Sequence, residues 1–217
     1  MFLHLSEYML RLFKILLLLL LFPLGIRAQQ FHFRNYSLSE GLAQSQVYAI
    51  CQAKNGTIWM GTRGGGLSAF DGIRFQNYTT RDGLADNYIL SLAEDSLGRL
   101  WIGTNNGLCT FNGRTFKKLV LPDSGTIVVE SILLNRPNEI LIGTQKGIYS
   151  FNSNKWTKFR SDIPSIQENI SCLYNDHSNR LWIGNNSGIT CIDKKSVFHL
   201  GLKEGLPSEA IRCITED

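Results

Sequence analysis

The tetrapeptide Trp-Ile-Gly-Thr, slightly varied, returns four times along the chain. It reads Trp59-Met60-Gly61-Thr62, Trp101-Ile102-Gly103-Thr104, Leu141-Ile142-Gly143-Thr144 and Trp182-Ile183-Gly184-Asn185, at intervals of 42, 40 and 41 residues. A fixed period of this size means one supersecondary unit copied along the chain. Function then shifts from single residues to the surface that the assembled units present.

Each copy contains four short β-type runs separated by turn residues. An alternating apolar run precedes the tetrapeptide: Val47 and Ile50, Ile89 and Leu92, Ile127 and Ile132, Ile170 and Leu173. A polar turn follows it, at Asn55-Gly56, Ser96-Leu97-Gly98, Pro137-Asn138 and Ser178-Asn179. After the tetrapeptide come Gly66-Leu67, Gly107-Leu108, Gly147-Ile148 and Gly188-Ile189, then Phe70-Asp71-Gly72, Phe111-Asn112-Gly113, Phe151-Asn152 and Ile192-Asp193. Asp71-Gly72 and Asn112-Gly113 are two-residue hairpin signals, because both central positions of such a turn favour positive φ. An aromatic or apolar run closes each unit, from Phe75, Phe116, Trp156 and Val197. No window of the mature chain sustains a 3.6-residue period, so helices are not the building element.

Four antiparallel strands in about 40 residues make one propeller blade. The expected fold is all-β: an incomplete β-propeller of four-stranded antiparallel blades, with about four to five blades present. Trp59, Trp101 and Trp182, with Leu141 in the same slot, are expected to pack between neighbouring blades. The glycine two residues later is expected to allow close backbone approach near the axis.

Residues 1–28 read as a secretory signal. Arg11 and Lys14 precede the apolar run Ile15 to Phe22, Pro23 and Gly25 break it, and Ala28 supplies a small residue at the cleavage point. That run is much shorter than the ~20 residues a membrane-spanning helix needs. Residues 29–217 then form the partial propeller. Phe31-His32-Phe33-Arg34-Asn35-Tyr36 aligns with Arg74 to Tyr78, as the outermost strand of a blade whose inner strands are not upstream. Glu204-Gly205-Leu206 opens a fifth unit, with Ile211 and Ile214 starting its first strand, and that unit is cut off after Asp217.

Residues 29–217 carry 19 lysines and arginines against 17 acidic residues. That balance leaves no electrostatic footprint for nucleic acid. The five cysteines, Cys51, Cys109, Cys172, Cys191 and Cys213, form an odd and scattered set that suggests neither a disulfide framework nor metal spacing. Cys172 and Cys213 fall where other copies carry Ala49, Ser91 and Ser131, so they read as small core-facing residues. No cofactor, metal site or catalytic residue is expected.

The run from Asp82-Gly83-Leu84 through Leu100-Trp101-Ile102-Gly103-Thr104-Asn105-Asn106-Gly107-Leu108 to Phe111-Asn112-Gly113 resembles the two-component regulator propeller repeat. The third copy departs from it, with Leu141 for tryptophan and no acidic-Gly-Leu triplet before it. The resemblance implies the periplasmic sensor region of a hybrid two-component histidine kinase of the Bacteroidetes type. It implies an oligosaccharide or related nutrient as ligand. It also implies the rest of the propeller and a kinase as partners within a longer protein; a homodimer is one option for an oligomeric state the sequence leaves open. His32, His177 and His199 lie in no phosphoacceptor pattern, and Gly64-Gly65-Gly66 lacks the Gly-Lys-Ser/Thr of a phosphate loop.

In a propeller the loop after each second strand and the loop between blades emerge on one face. The variable polar residues there are Arg63, Asn105, Asn106, Gln145, Lys146 and Asn186, the candidate ligand-binding residues. Amide and basic groups suit sugar hydroxyls or uronate carboxylates. The acidic residue of the recurring triplet, Glu40, Asp82 or Glu204, instead fixes the loop between blades. Competing functions are a propeller enzyme of the streptogramin-lyase type and a nonfunctional truncated fragment.

Overall fold

The computed structural model describes residues 9, 11–16, 33–123, 125–136, 139–194 and 196–217. The expected cleavage point and most of the leader lie outside these residues, as do Phe31, His32 and the Pro137-Asn138 turn. The chain divides into two units, Met1–Asn35 and Tyr36–Asp217. In the first, Met9 and residues 11–16 are helical. No helix among the described residues is long and apolar enough to cross a membrane.

In the second unit each repeat folds as read. Blade 1 comprises β1 (Val47–Gln52), β2 (Ile58–Thr62), β3 (Leu67–Phe70) and β4 (Phe75–Tyr78). Blade 2 comprises β5 (Ile89–Glu94), β6 (Leu100–Thr104), β7 (Gly107–Phe111) and β8 (Phe116–Leu119). Blade 3 comprises β9 (Val129–Arg136), β10 (Glu139–Thr144), β11 (Gly147–Asn152) and β12 (Lys155–Lys158). Blade 4 comprises β13 (Ile170–Asn175), β14 (Leu181–Asn185), β15 (Gly188–Ile192) and β16 (Val197–Leu200). Every sheet is a four-stranded antiparallel meander, and together they form an open, incomplete propeller. The first strands β1, β5, β9 and β13 pack side by side in that order.

The tetrapeptide glycine makes this stacking possible. A Cβ built on Gly61 would lie 2.4 Å from Ile89 Cγ2, on Gly103 2.9 Å from Val129 Cγ1, on Gly143 2.7 Å from Ile170 Cγ2, and on Gly184 2.6 Å from Ile211 Cγ2. Each glycine is thus a hollow entered by a β-branched residue of the next unit, with Ser91 Oγ and Cys172 Sγ of its own blade also close at Gly103 and Gly184. Side chains of the neighbouring blade make the close approach at Gly61 and Gly184, and the neighbouring backbone joins them at Gly103 and Gly143, through Val129 O at 2.7 Å and Ile170 O at 3.1 Å. Opposite each hollow the first strand carries a one-residue irregularity, at Tyr48, Leu90, Glu130 and Ser171. Such bulges bend a strand and re-aim a side chain.

Trp59 and Trp101 pack between blades, whereas Trp182 is partly exposed and packs on Phe198 of its own blade. Trp101 is 1% exposed and joins Leu108, Val129 and Tyr149 in the core between blades 2 and 3. Leu141 is fully buried in the next core. Trp101 Nε1 donates to Asp95 Oδ2 at 2.9 Å, and Asp95 Oδ1 also accepts from the backbone N–H groups of Leu97 and Arg99. Asp176 repeats the arrangement with Trp182, Ser178 and Arg180. A buried indole N–H needs an acceptor; the aspartate supplies it and closes the first hairpin in the same step. Blade 3 lacks both partners, with Asn135 and Leu141 in their places.

The acidic triplet is a cap, as read. Glu40, Asp82 and Glu204 accept from the backbone N–H of Ser37, Thr79 and Gly201 at 2.7, 2.8 and 2.8 Å, each closing a short 3-10 turn. The following Gly83, at φ +110°, ends its turn in the left-handed region that glycine favours, and Leu84 then drops into the core.

Two expected strands are not formed. Residues 33–36, the described part of the first, carry no strand. Tyr36 still packs on Phe70 and Phe75, with ring centroids 4.8 and 5.8 Å away, as Tyr78 packs on Phe111 and Phe116. Ile211 and Ile214 likewise lie in a segment without strand pairing, although Ile211 N–H donates to Asn185 O at 2.9 Å.

Candidate functional site

The six candidate residues lie in the β2–β3, β6–β7, β10–β11 and β14–β15 turns. These turns interlock with the connections between blades. Gly64 and Gly66 donate to Asn87 O at 3.1 and 3.0 Å, and Gly107 donates to Ile127 O at 2.7 Å. Within each turn the last tetrapeptide residue is a clip: Thr62, Thr104 and Thr144 donate through Oγ1 to the carbonyls of Gly66, Gly107 and Gly147, each at 2.8 Å. Asn185 takes a related role, accepting from Ser187 N–H and donating to Ser165 O. The face is therefore hydrogen-bonded backbone carrying the candidate side chains, a suitable base for binding groups.

Arg63 is exposed and extends along the face. Its Nε donates to Tyr88 Oη at 2.9 Å, its Nη1 reaches Gln46 Oε1 at 3.5 Å, and its guanidinium carbon lies 5.9 Å from the Tyr88 ring centroid. The hydrogen bond to Tyr88, with nearby Tyr48 adding to it, favours the charged form of the guanidinium. Sequence reading missed Gln46, Tyr48 and Tyr88 because these positions do not repeat from unit to unit. The side-chain amides of Asn105, Asn106 and Asn186 are exposed and make no hydrogen bond to the described residues.

Gln145 is placed differently. Its Oε1 accepts from Val128 N–H at 2.6 Å and its Nε2 donates to Thr126 O at 2.9 Å, so the amide clasps the connection between blades 2 and 3. Lys146 Nζ lies 4.0 Å from Asp123 Oδ2, and Lys158 Nζ donates to Lys146 O at 2.7 Å. Tyr149 donates to Asp123 from below. Burial, with the Asp123 carboxylate beside it, pushes the Tyr149 phenol up, so it stays protonated. The structure thus groups Arg63 with two tyrosines over blades 1 and 2, and Lys146 with Lys158 and Asp123 over blade 3.

The opposite end of the blades holds clefts of about 650 and 580 Å³, between blades 2 and 3 and between blades 3 and 4. Neither includes a candidate residue. Several of their polar groups are already committed: Asp95 to Arg99 and Trp101, and Glu139 to Asn135 and Ser150. Among the described residues no group of three or more histidine, cysteine or acidic side chains is placed to hold a metal ion.

Comparison with known proteins supports the repeat reading. The family described as two component regulator propeller matches residues 41–64, 83–106 and 164–187. The third copy, with Leu141, falls outside those matches. No curated protein matches the chain in sequence. Among solved structures, the extracellular domain of BT4673 from B. thetaiotaomicron, described as a hybrid two component system, is 22% identical with a TM-score of 0.61, over 71% of this chain and 22% of that one. The corresponding domain of BT3049 from the same organism is 21% identical with a TM-score of 0.64, over 83% and 25%. A catalytically inactive virginiamycin B lyase from Staphylococcus aureus is 17% identical with a TM-score of 0.60, over 74% and 57%. The chain spans a quarter or less of the length of the two B. thetaiotaomicron domains, and these likenesses show the fold.

Proposed function

We infer, from a chain whose repeats are those of the two component regulator propeller, that it is the first portion of an exported sensor propeller. In this reading the chain has no catalysis of its own. It binds a nutrient ligand, an oligosaccharide or a related polar molecule, and the signal passes to a histidine kinase encoded beyond this segment. Export by the N-terminal leader places it in the periplasm.

The observation that carries the binding reading is the contrast between the two ends of the blades. At the turn face the exposed amides of Asn105, Asn106 and Asn186 and the guanidinium of Arg63 stand on clipped backbone, ready to meet hydroxyl or carboxylate groups. At the opposite end the principal charged groups are already paired. His177 faces Glu216 at 2.7 Å, and both His199 nitrogens are engaged, with Thr190 Oγ1 and Ser187 O.

The test is calorimetry on the folded chain with an oligogalacturonate and a neutral gluco-oligosaccharide as probes. Arg63→Ala and Lys146→Ala are expected to weaken binding of the acidic probe by about tenfold each, the loss of one charge-assisted hydrogen bond. Equal affinities in the parent and both variants would refute this face as the site.

A further inference from the structure

We infer that Cys172 and Cys213 form a redox pair, closing to a disulfide under oxidising conditions and pinning the start of the fifth unit to blade 4. The two cysteines occupy the same position in successive units, the position of Ser91 and Ser131 in blades 2 and 3. At the preceding interfaces the side chain at that position reaches across to the next first strand. Ser91 Oγ donates to Val129 O at 3.3 Å, and Ser131 Oγ accepts from Leu173 N–H at 3.0 Å, one residue from Cys172. A side chain at this position therefore lies against the first strand of the next unit, within two residues of its counterpart there.

The segment carrying Cys213 is seated as the earlier first strands are. Ile211 N–H donates to Asn185 O at 2.9 Å, Ser171 Oγ donates to Ile211 O, and the Ile211 side chain fills the Gly184 hollow. Cys172 Sγ lies 2.5 Å from the same hypothetical Gly184 Cβ, so sulfur and isoleucine share one hollow, with Cys213 two residues further on. Residues 207–217 form no ladder, which leaves them free to adjust to the narrow Cα separation a disulfide requires. Cys213 is exposed and Cys172 half-buried, while Cys51, Cys109 and Cys191 sit at other positions in blades 1, 2 and 4.

With oxidised glutathione as oxidant the chemistry balances. The Cys213 thiolate attacks one glutathione sulfur, expelling a glutathione thiolate and leaving a mixed disulfide. The Cys172 thiolate then attacks Cys213 Sγ and expels the second glutathione. Two protein thiols lose two electrons, glutathione disulfide gains them, and the two thiol protons end on the released glutathiones. Burial pushes the Cys172 thiol up to about 11, so the second step is the slow one and quickens with rising pH.

The experiment treats the folded chain with oxidised glutathione and follows it by alkylation and non-reducing peptide mapping. The expected result is joint loss of both thiols, a Cys172–Cys213 cross-link within one chain, and a higher melting temperature. Cys172→Ser should stop the reaction with one glutathione on Cys213, and Cys213→Ser should leave Cys172 reduced. Both variants install the serine already present in blades 2 and 3, so the fold is retained. Stable glutathione on Cys213 of the parent chain with Cys172 still reduced would overturn the inference. So would a cross-link to another cysteine or between two chains, or an unchanged melting temperature in the cross-linked form.

Discussion

Ile89 occupies the space that a side chain on Gly61 would need, its Cγ2 lying 2.4 Å from where a Cβ would sit. The relationship recurs at Gly103, Gly143 and Gly184 with Val129, Ile170 and Ile211, so one geometric rule sets the spacing of all the blades. Gly61→Ala is expected to cost about 1–3 kcal/mol by overpacking. In a double-mutant cycle with Ile89→Ala the two costs should fall short of additive, because the smaller residue removes the collision. Urea unfolding of the four proteins measures this, and strict additivity would mean the two residues do not share the space.

The aspartate beneath tryptophan gives a second expectation. Asp95→Ala removes the acceptor of the Trp101 indole and of two backbone N–H groups, and should cost roughly 2–3 kcal/mol, the scale of hydrogen bonds to a charged group. Blade 1 carries Ala53 at the corresponding position and keeps Trp59, which is 9% exposed against 1% for Trp101. Asp95→Ala should therefore leave a folded chain that melts earlier, with Trp101 fluorescence shifted towards that of a wetter indole.

Acid should act through the same residues. Burial pushes the Asp176 carboxyl up. Hydrogen bonds from Trp182 and Arg180, with the guanidinium charge, outweigh that and hold it at about 2. Asp95 is lowered by the same kind of balance. The folded value lies below the ordinary ~3.9 of an unfolded aspartate, so this stabilisation is complete above that pH and is lost as pH falls towards 2. The melting temperature should hold between about pH 7 and 5 and drop below about 4. An Asp95→Asn/Asp176→Asn variant should show a shallower drop.

Gln145 and Asn105 should separate two roles that look alike in sequence. Gln145→Ala breaks two hydrogen bonds to the connection between blades 2 and 3 and should cost about 1–2 kcal/mol. Asn105→Ala, whose amide makes no hydrogen bond to the described residues, should leave the melting temperature unchanged and register only in ligand affinity. Thermal melts of both variants alongside calorimetry check the contrast.

The period, the hairpins and the inter-blade tryptophan could be read from the chain because they repeat in register. Asp95 and Asp176 could not, because Ala53 and Asn135 stand at the corresponding positions in the other two units. The first-strand bulge was hidden for another reason: one extra residue opposite an otherwise regular run leaves the 40–42-residue spacing intact. Gln145 was grouped with Asn105 because an amide in a turn can face solvent or backbone equally well. Only the path of residues 126–128 decides between them. The cluster of Gln46, Tyr48 and Tyr88 around Arg63 depends on two neighbouring blades, so no single unit announces it.

Hydrogen exchange along the backbone, with and without the oligogalacturonate probe, tests the central claim most directly. Protection on binding should concentrate in residues 63–66, 105–107, 145–147 and 186–188 and in the adjoining inter-blade connections. Protection confined to the opposite turns, around residues 95–99 and 176–180, would place the site at the wrong end of the blades and contradict the account.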